Sequence, residues 1–271
     1  MSDPTPDDRD GFYVGWRADM PAALVRPVRR AVLALLLLAV VLAVTRALVS
    51  EPFAPAVFEF GSPSRFEGTL REHPVPRLEL DRPGPDAGSA SAADPQAAGT
   101  PGTSSWWLVA GGKHGAADLA AGLDGRRVAV TGTLIHRQGH TVLEVAADGV
   151  EPVPAGAVTP LAAVEDLGHV TLRGEIVDSK CWTGVMNPGE GKGHRACAIR
   201  CLSGGIPALF AVPGQDGRPP LALLLVDTDG RTVNDRVLDV VGEPLLISGR
   251  LSRRGDLLVL AADPGSYAPR R

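Results

Sequence analysis

Hydrophobic and polar positions divide this chain into one long apolar run and many short alternating segments. Residues 31–45 are apolar up to a terminal threonine, and residues 47–49 resume the run after Arg46. Together they come close to the ~20 residues that a membrane-spanning helix needs. The short alternating segments that follow predict β-strands. The pattern therefore predicts a single N-terminal transmembrane helix followed by a mainly β remainder.

The charges that flank the apolar run predict its orientation. Three arginines lie between residues 26 and 30, and Glu51 follows the run. By the positive-inside rule, the N-terminus is expected in the cytoplasm and the C-terminal domains outside the cytoplasmic membrane. We interpret the run as an uncleaved signal-anchor. A cleaved signal peptide is the competing interpretation, because residues 45–47 loosely resemble a small-x-small cleavage site.

The β segments occur in the same order twice. In the first half, strands are predicted at 65–71, 106–110, 127–135 and 141–145, with a short helix at 116–123. In the second half, they are predicted at 170–178, 221–226, 245–251 and 257–260, with a short helix at 234–241 that Asn234 caps. This order is typical of the OB-fold, a five-stranded Greek-key barrel with a helix between strands three and four. We predict two tandem OB-like five-stranded barrels.

Equivalent glycines support the repeat. Gly68 and Gly174 occupy the same place in the two first strands, and Gly132 and Gly249 the same place in the two closing hairpins. A glycine within a strand often marks a bulge or a close backbone approach. Small closed barrels need such bends at their corners.

Composition breaks between the strands set the expected domain boundaries. These are a cytoplasmic segment at 1–30, the transmembrane helix at 31–49, a stalk at 50–63, a first barrel at 57–150 with a flexible insertion at 81–105, a linker at 151–167, and a second barrel at 168–265 with an insertion at 179–207. The first insertion is rich in Pro, Gly, Ala and Ser and buries too little surface to fold. The second insertion joins strands one and two, a connection that carries ligand contacts in OB-folds.

Composition excludes two classes of function. A formal net charge of -4 and a pI near 5.9 argue against nucleic-acid binding, which needs a basic face. The chain has no G-x-S-x-G and no H-E-x-x-H motif, so a hydrolase has no support. A non-enzymatic function is therefore expected.

All three cysteines lie in the second insertion, together with one histidine. The stretch from His194 predicts two helical turns that stop at the glycine pair 204–205, and His194, Cys197 and Cys201 fall on one stripe of that helix. Cys181 ends a strand and can fold back over the loop to meet them. Three thiolates and one imidazole suit a transition metal such as zinc, copper or iron. The spacing predicts a metal site at Cys181, His194, Cys197 and Cys201.

Two other thiol chemistries stay open at this point. Outside the cytoplasm, Cys181 can form a disulfide with Cys197 or Cys201. Such a bond stabilises a long loop by roughly 2–4 kcal/mol, and the chain would then be a non-catalytic interaction module. A redox-active thiol with a resolving cysteine is the third possibility, because Lys180 and two arginines neighbour the cysteines and favour thiolate.

Other polar residues are interpreted as surface groups. Three charged residues near the cysteines are read as solvated loop charges rather than as support for the ligands: Asp178, Lys180 and Glu190. Three histidines of the first half are read as solvent-facing turn residues rather than as a second metal patch: His114, His136 and His140.

The cysteine segment resembles a known group of proteins. G-E-I-V-D-S-K-C at 174–181, followed by H-R-A-C-A-I-R-C-L-S-G-G-I-P at 194–207, resembles an uncharacterised family of exported bacterial proteins. Their shared pattern is roughly G-x-V-x-D-x-x-C … H-x-x-C-A-x-x-C-x-x-x-G-x-P on an OB-like β-barrel. G-F-Y-V-G-W at 11–16 resembles the start of the membrane-anchored members. The resemblance implies a membrane-tethered, exported protein with a Cys/His site and brings no activity with it.

These inferences combine into one expected function. The chain is expected to be a membrane-anchored accessory protein that binds a metal or metal cofactor and has a membrane or exported protein as partner. Assistance to a membrane redox complex fits this expectation, because tethering raises the effective concentration near a membrane partner.

Overall fold

The computed structural model of the chain describes residues 22–49, 56–80, 104–137, 139–154, 158, 160–214 and 218–269. Two compact units are present, residues 1–52 and 53–271. In the first unit, helix α1 spans Ala22–Val49 and is long and apolar enough to cross a membrane. It begins before the apolar run, so the arginines that set the expected orientation form its first turns. Most of the predicted flexible insertion at 81–105 lies outside the described residues.

The second unit begins with a closed five-stranded barrel. Its elements are β1 (Ala56–Phe58), β2 (Ser64–Arg71), β3 (Arg77–Leu80), β4 (Ser104–Val109), α2 (Ala117–Ala120), β5 (Arg127–Arg137) and β6 (His140–Pro152). Strand β2 pairs with β3 and β5, β3 with β4, and β5 with β6, all antiparallel. A parallel pairing of β4 with β6 closes the barrel. Helix α2 lies between the third and fourth barrel strands, as the OB-fold requires.

A second closed barrel repeats this topology. Its elements are β7 (Val164–Asp178), α3 (Arg195–Ser203), β8 (Ala208–Val212), β9 (Leu221–Val226), β10 (Leu245–Arg254), β11 (Leu257–Ala261) and β12 (Ala268–Pro269). Strand β7 pairs with β8 and β10, β8 with β9, and β10 with β11, all antiparallel. Strands β9 and β11 are parallel. The prediction of two OB-like barrels is confirmed.

The repeated glycines lie where two strands approach most closely. A Cβ atom on Gly68 would overlap the carbonyl of the second barrel strand, and a Cβ on Gly174 would do the same in the other barrel. A Cβ on Gly132 or Gly249 would overlap the carbonyl of the fifth strand of its own barrel. Both pairs of glycines therefore permit the same two barrel contacts.

Local details differ from the sequence expectation. Strand β1 falls inside the predicted stalk and pairs with β5, and β12 pairs with the equivalent strand β10. The helix expected at 234–241 is a single 3-10 turn, Asn234–Arg236. Asn234 does not cap it, because its side-chain nitrogen donates instead to the carbonyls of Leu202 and Ile206, each at 2.8 Å.

Each barrel encloses an apolar core of its own, and a further apolar cluster joins the two barrels. Trp106 belongs to the first core, where it makes an edge contact with Phe66. The adjacent Trp107 points to the other face of β4 and belongs to the joining cluster. Cys181 and Cys201 belong to that same cluster. The cysteine segment therefore lies where the two barrels meet.

Candidate metal centre

Strand β7 delivers the first cysteine to the interface. It ends at Asp178, whose Oδ1 accepts a hydrogen bond of 2.8 Å from the backbone N–H of Cys181. This bond turns the chain into one π-helical turn, Cys181–Val185. The backbone N–H of Ser179 donates to the carbonyl of Pro207 at 3.0 Å. Both ends of the insertion are thereby fixed to each other.

Helix α3 delivers the other two cysteines. It begins after His194, whose carbonyl accepts from the backbone N–H of Cys197 at 2.9 Å. Cys201 lies one turn further along the same face. The helix ends at Gly204, as expected, and its last carbonyls are satisfied in part by Asn234. The prediction that a short helix aligns these residues is confirmed.

The three sulfur atoms form a compact triangle. The Sγ atom of Cys181 lies 4.0 Å from Sγ of Cys197 and 4.0 Å from Sγ of Cys201, and all three lie within 4.8 Å of one another. An ion about 2.3 Å from each sulfur holds them about 4.0 Å apart in a plane and about 3.8 Å apart in a tetrahedron. The triangle therefore has the size that a bound metal ion requires.

The cysteines are all free thiols, and no disulfide joins them. Sulfur atoms 4.0 Å apart are separated by about twice the 2.05 Å of a disulfide bond. The disulfide that the sequence left open is thus not what this segment forms. Three free thiols in a largely buried cluster form a group that could hold a metal ion.

Two of the thiols share a proton. The hydrogen bond with Cys201 raises the pKa of Cys181, and burial of Cys181 raises it further. The same hydrogen bond lowers the pKa of Cys201. Negative charge therefore settles first on Cys201, and an ion that binds here must displace the remaining protons.

His194 joins the cluster through a buried carboxylate. Its Nε2 lies 3.0 Å from Oδ2 of Asp178, and both side chains are shielded from solvent. Ligand atoms of Asp178, Cys181 and His194 lie within 4.8 Å of one another. A metal-binding histidine usually donates its second ring N–H to a carboxylate. The structure therefore places His194 beside Asp178 and Cys181, but it does not bring His194 into one group of ligand atoms with Cys197 and Cys201.

A lysine from the first barrel completes the site. Lys113 lies in the turn after β4, and its Nζ lies 2.7 Å from Sγ of Cys197 and 3.7 Å from Sγ of Cys201. The hydrogen bond with Cys197 raises the pKa of Lys113, so the side chain stays an ammonium ion. The positive charge of Lys113 contributes to the lowered pKa of Cys201.

Both ends of the cysteine segment hold the turn that carries this lysine, residues 110–115. On one side, Nζ of Lys180 donates to the carbonyls of Ala110 at 3.0 Å and Gly112 at 2.8 Å. On the other side, the carbonyl of Gly204 accepts from the backbone N–H of Gly115 at 2.8 Å. The cysteine segment therefore holds in place the turn that carries the ammonium of Lys113.

Sequence reasoning missed Lys113, although one signal pointed to it. The basic residues of this chain are mostly arginines, and its lysines are Lys113, Lys180 and Lys192. Two of those three contact the site. A point charge on a flexible stem suits a thiolate, whereas the planar fork of arginine suits carboxylates and phosphates.

The interpretation of the neighbouring charges as solvated is wrong for two of them. Asp178 and Lys180 are only 0% and 3% exposed, because both take part in the contacts that build the site. Lys180 also pairs with Glu144 at 2.6 Å. Glu190 accepts a hydrogen bond of 3.1 Å from the indole of Trp182 and thereby braces the residue after Cys181.

An aromatic wall lies next to the first cysteine. The ring of His140 stacks on Trp107 with centroids 5.9 Å apart and meets Trp182 edge-on at 5.4 Å. The guanidinium of Arg137 lies 4.4 Å above the Trp182 ring and donates to its carbonyl. Burial lowers the pKa of His140 to about 4, and the charge of Arg137 adds to this effect. His140 is therefore a packed neutral ring and not a solvent-facing turn residue.

The remaining histidines do not join the site. His136 approaches Glu59 at 3.5 Å, and His114 is exposed beside the turn of residues 110–115. Among the described residues, the clusters that can hold a metal ion contain only the cysteines, Asp178 and His194.

Comparisons with known proteins add nothing to this description of the site. No family model matches the chain, nor does any curated protein or solved structure. The conclusions that follow therefore depend on the geometry of these barrels and of the cysteine segment between them.

Proposed function

We propose that this chain is a non-enzymatic, membrane-anchored exported protein that binds one divalent metal ion through Cys181, Cys197 and Cys201, with His194 as the fourth ligand. The observation that carries the proposal is the sulfur triangle, in which Cys181 lies 4.0 Å from each of the other two sulfurs and all three lie within 4.8 Å of one another, beside the ammonium ion of Lys113. Four protein ligands leave no open position for a substrate, as in structural zinc sites.

Charge favours a divalent ion over a monovalent one. Three thiolates and a divalent ion sum to one negative charge, which the ammonium of Lys113 at 2.7 Å from Cys197 offsets. The buried carboxylate of Asp178 adds one negative charge whichever ion binds. A monovalent ion such as Cu(I) would therefore leave the largely buried site one unit more negative than a divalent ion does, which is costly. Zinc fits both this balance and the mixed sulfur and nitrogen donors.

The apolar helix supports a place of action outside the cytoplasm. Helix α1 is long and apolar enough to span a membrane, and the arginines before its apolar run favour a cytoplasmic N-terminus. The barrels then lie outside the cytoplasmic membrane, where the resemblance of the cysteine motif to exported bacterial proteins also puts them. A tethered metal-binding module suits an accessory partner of a membrane redox complex, because the tether raises its local concentration.

Metal analysis tests the proposal directly. The full chain, purified in detergent without chelator, is expected to carry one zinc-class ion per chain by native mass spectrometry and elemental analysis. Cys197→Ser should lose the ion, whereas His136→Gln, which alters a histidine outside the cluster, should keep it. Absence of a stoichiometric metal, or full retention in Cys197→Ser, overturns the proposal.

A thiol oxidoreductase is the second candidate, and the contact between Lys113 and Cys197 favours it. Cys197 is the most exposed of the three cysteines and lies in the first turn of α3, so a disulfide substrate could reach its sulfur. Its thiolate would attack a disulfide substrate and release one substrate thiol. Cys181 or Cys201 would then attack Cys197, release the second thiol and leave a disulfide in the protein.

Disulfide reduction by the metal-free chain separates the two candidates. An oxidoreductase reduces insulin with dithiothreitol as the electron donor and loses this activity in Cys197→Ser, which removes the attacking thiol. A metal-binding module without redox activity gives the same rate as the buffer containing dithiothreitol alone.

A further inference from the structure

Each barrel has an equivalent turn and an equivalent inter-strand connection on the side that faces the other barrel. In both, the turn after the third strand is closed by a single β-bridge, Val109 to Gly115 in the first barrel and Val226 to Thr232 in the second. The first of these turns carries Lys113 to the cysteine insertion, which joins strands one and two of the second barrel. The reciprocal pair is the turn at 227–232 and the short connection between β2 and β3.

The turn at 227–232 and the short connection between β2 and β3 border an open cleft rather than a site that an insertion occupies. His73 and Pro74 of the short connection and residues 227–232 border the same cavity, of about 870 Å³. The cysteine insertion spans residues 179–207, whereas the short connection has only residues 72–76, so among the residues that the structure describes no comparable segment fills the equivalent space. A volume of this size is within the range of pockets that hold small organic ligands.

The charges along the cleft leave a cationic corner. Four arginines and three aspartates line it, but the aspartates are largely engaged. Asp227 pairs with Arg236 at 2.6 Å and with Arg231 at 3.7 Å, and Asp229 also pairs with Arg231. The third, Asp263, accepts from the backbone N–H of Gly265 at 2.9 Å.

The corner itself is made of the remaining two arginines, Arg77 and Arg254. Arg77 is 1% exposed and shares its carboxylate, Glu79, with Arg71. Its Nε–H has no acceptor. Arg254 has no carboxylate partner among the residues that the structure describes, and its positive charge acts on Arg77. The guanidinium groups of Arg77 and Arg254 therefore border one cleft whose other two arginines, Arg231 and Arg236, already pair with aspartates.

We infer that this cleft binds a small organic oxyanion, either a carboxylate or a phosphate ester, through the guanidinium of Arg254 next to Arg77. Arginine forms paired hydrogen bonds with both kinds of oxyanion. Apolar side chains complete the lining and suit a ligand with an apolar body: Val164, Val226, Leu257 and Val259. The inference does not depend on the proposed metal site.

Calorimetric titration of the full chain in detergent tests it. The probes are inorganic phosphate and succinate, each against sodium chloride of equal ionic strength. One binding site is expected. Because it removes a charged hydrogen-bond donor, Arg254→Gln should weaken binding about tenfold or more. Arg253→Gln is the matched control, since this exposed neighbour pairs with Glu165 at 3.8 Å instead.

Each outcome of the titration either supports or overturns the inferred oxyanion site. Binding of phosphate alone identifies a phosphate ester, and binding of succinate alone identifies a carboxylate. Arg254→Lys keeps the charge and the fold but lacks the planar fork, so it should bind more weakly than the unmodified chain even if Arg254→Gln misfolds. The inference fails if neither probe binds beyond chloride, or if Arg253→Gln weakens binding as much as Arg254→Gln. Cys197→Ser should bind the probes normally.

Discussion

Replacement of Lys113 by methionine removes the ammonium from the sulfur triangle and keeps most of the side-chain volume. The bond from Nζ to Sγ of Cys197 is 2.7 Å long, and hydrogen bonds to charged groups contribute about 1.5–3 kcal/mol. Lys113 is partly exposed, and solvent screening reduces the value toward the lower limit. We expect Lys113→Met to bind zinc about tenfold more weakly, which corresponds to about 1.4 kcal/mol.

Competition with a chromophoric zinc chelator at fixed pH measures this difference on the full chain in detergent. Lys192→Met is the matched control, because Lys192 belongs to the same insertion but its side chain is 76% exposed and pairs with Glu243. Lys113→Arg should restore part of the affinity. Zinc binding by Lys113→Met within about twofold of the unmodified chain, or an equal loss in Lys192→Met, would refute the role of the ammonium.

Three further predictions concern stability and support of the ligands. Gly204→Ala introduces a Cβ that overlaps the carbonyl of Lys113, so it should lower the free energy of unfolding by about 1–3 kcal/mol, whereas Gly111→Ala, with open space around its Cβ, should change it little in denaturant titrations. His140 is neutral in the folded protein down to a pH of about 4 but takes up a proton near 6.5 when unfolded. Stability should therefore be unaffected by this ring above pH 6.5 and fall by up to about 3 kcal/mol as the pH drops toward 4; His140→Gln should remove this slope, and an unchanged slope would contradict the burial argument. Asp178→Ala leaves the N–H of Cys181 and the ring of His194 without their acceptor, so it should cost about 2 kcal/mol or more and weaken zinc binding about 10–100-fold; zinc affinity equal to that of the unmodified chain would exclude a supporting role.

Local patterns along the chain were sufficient to predict the barrels. Strands β2, β5 and β10 carry clear alternation, and the glycine pairs mark equivalent bends, so order and spacing identified the OB-like repeat. Strand β3 has only Arg77–Leu80, and all four residues are buried. Such a short strand with charged residues inside has no periodic signal, and it was missed for that reason.

The convergence of the cysteines was also predictable, because helical spacing aligns Cys197 with Cys201 and a strand end places Cys181 nearby. The contribution of Lys113 was not. It comes from the other barrel, 84 positions away from Cys197 along the chain, and no local pattern encodes a contact between two domains. Burial of Asp178 was hidden for a related reason, since its partner His194 belongs to a distant element.

The turn of residues 110–115, which carries Lys113, gives the two-barrel arrangement a role in the cysteine site as well as in packing. Because the sulfurs come from one barrel and their balancing cation from the other, neither half is self-sufficient. The C-terminal half expressed alone would expose three crowded thiols without a counter-charge, and oxidation would be its expected fate. A single barrel with the same cysteine motif would hold the three sulfurs without the cation that the first barrel supplies here.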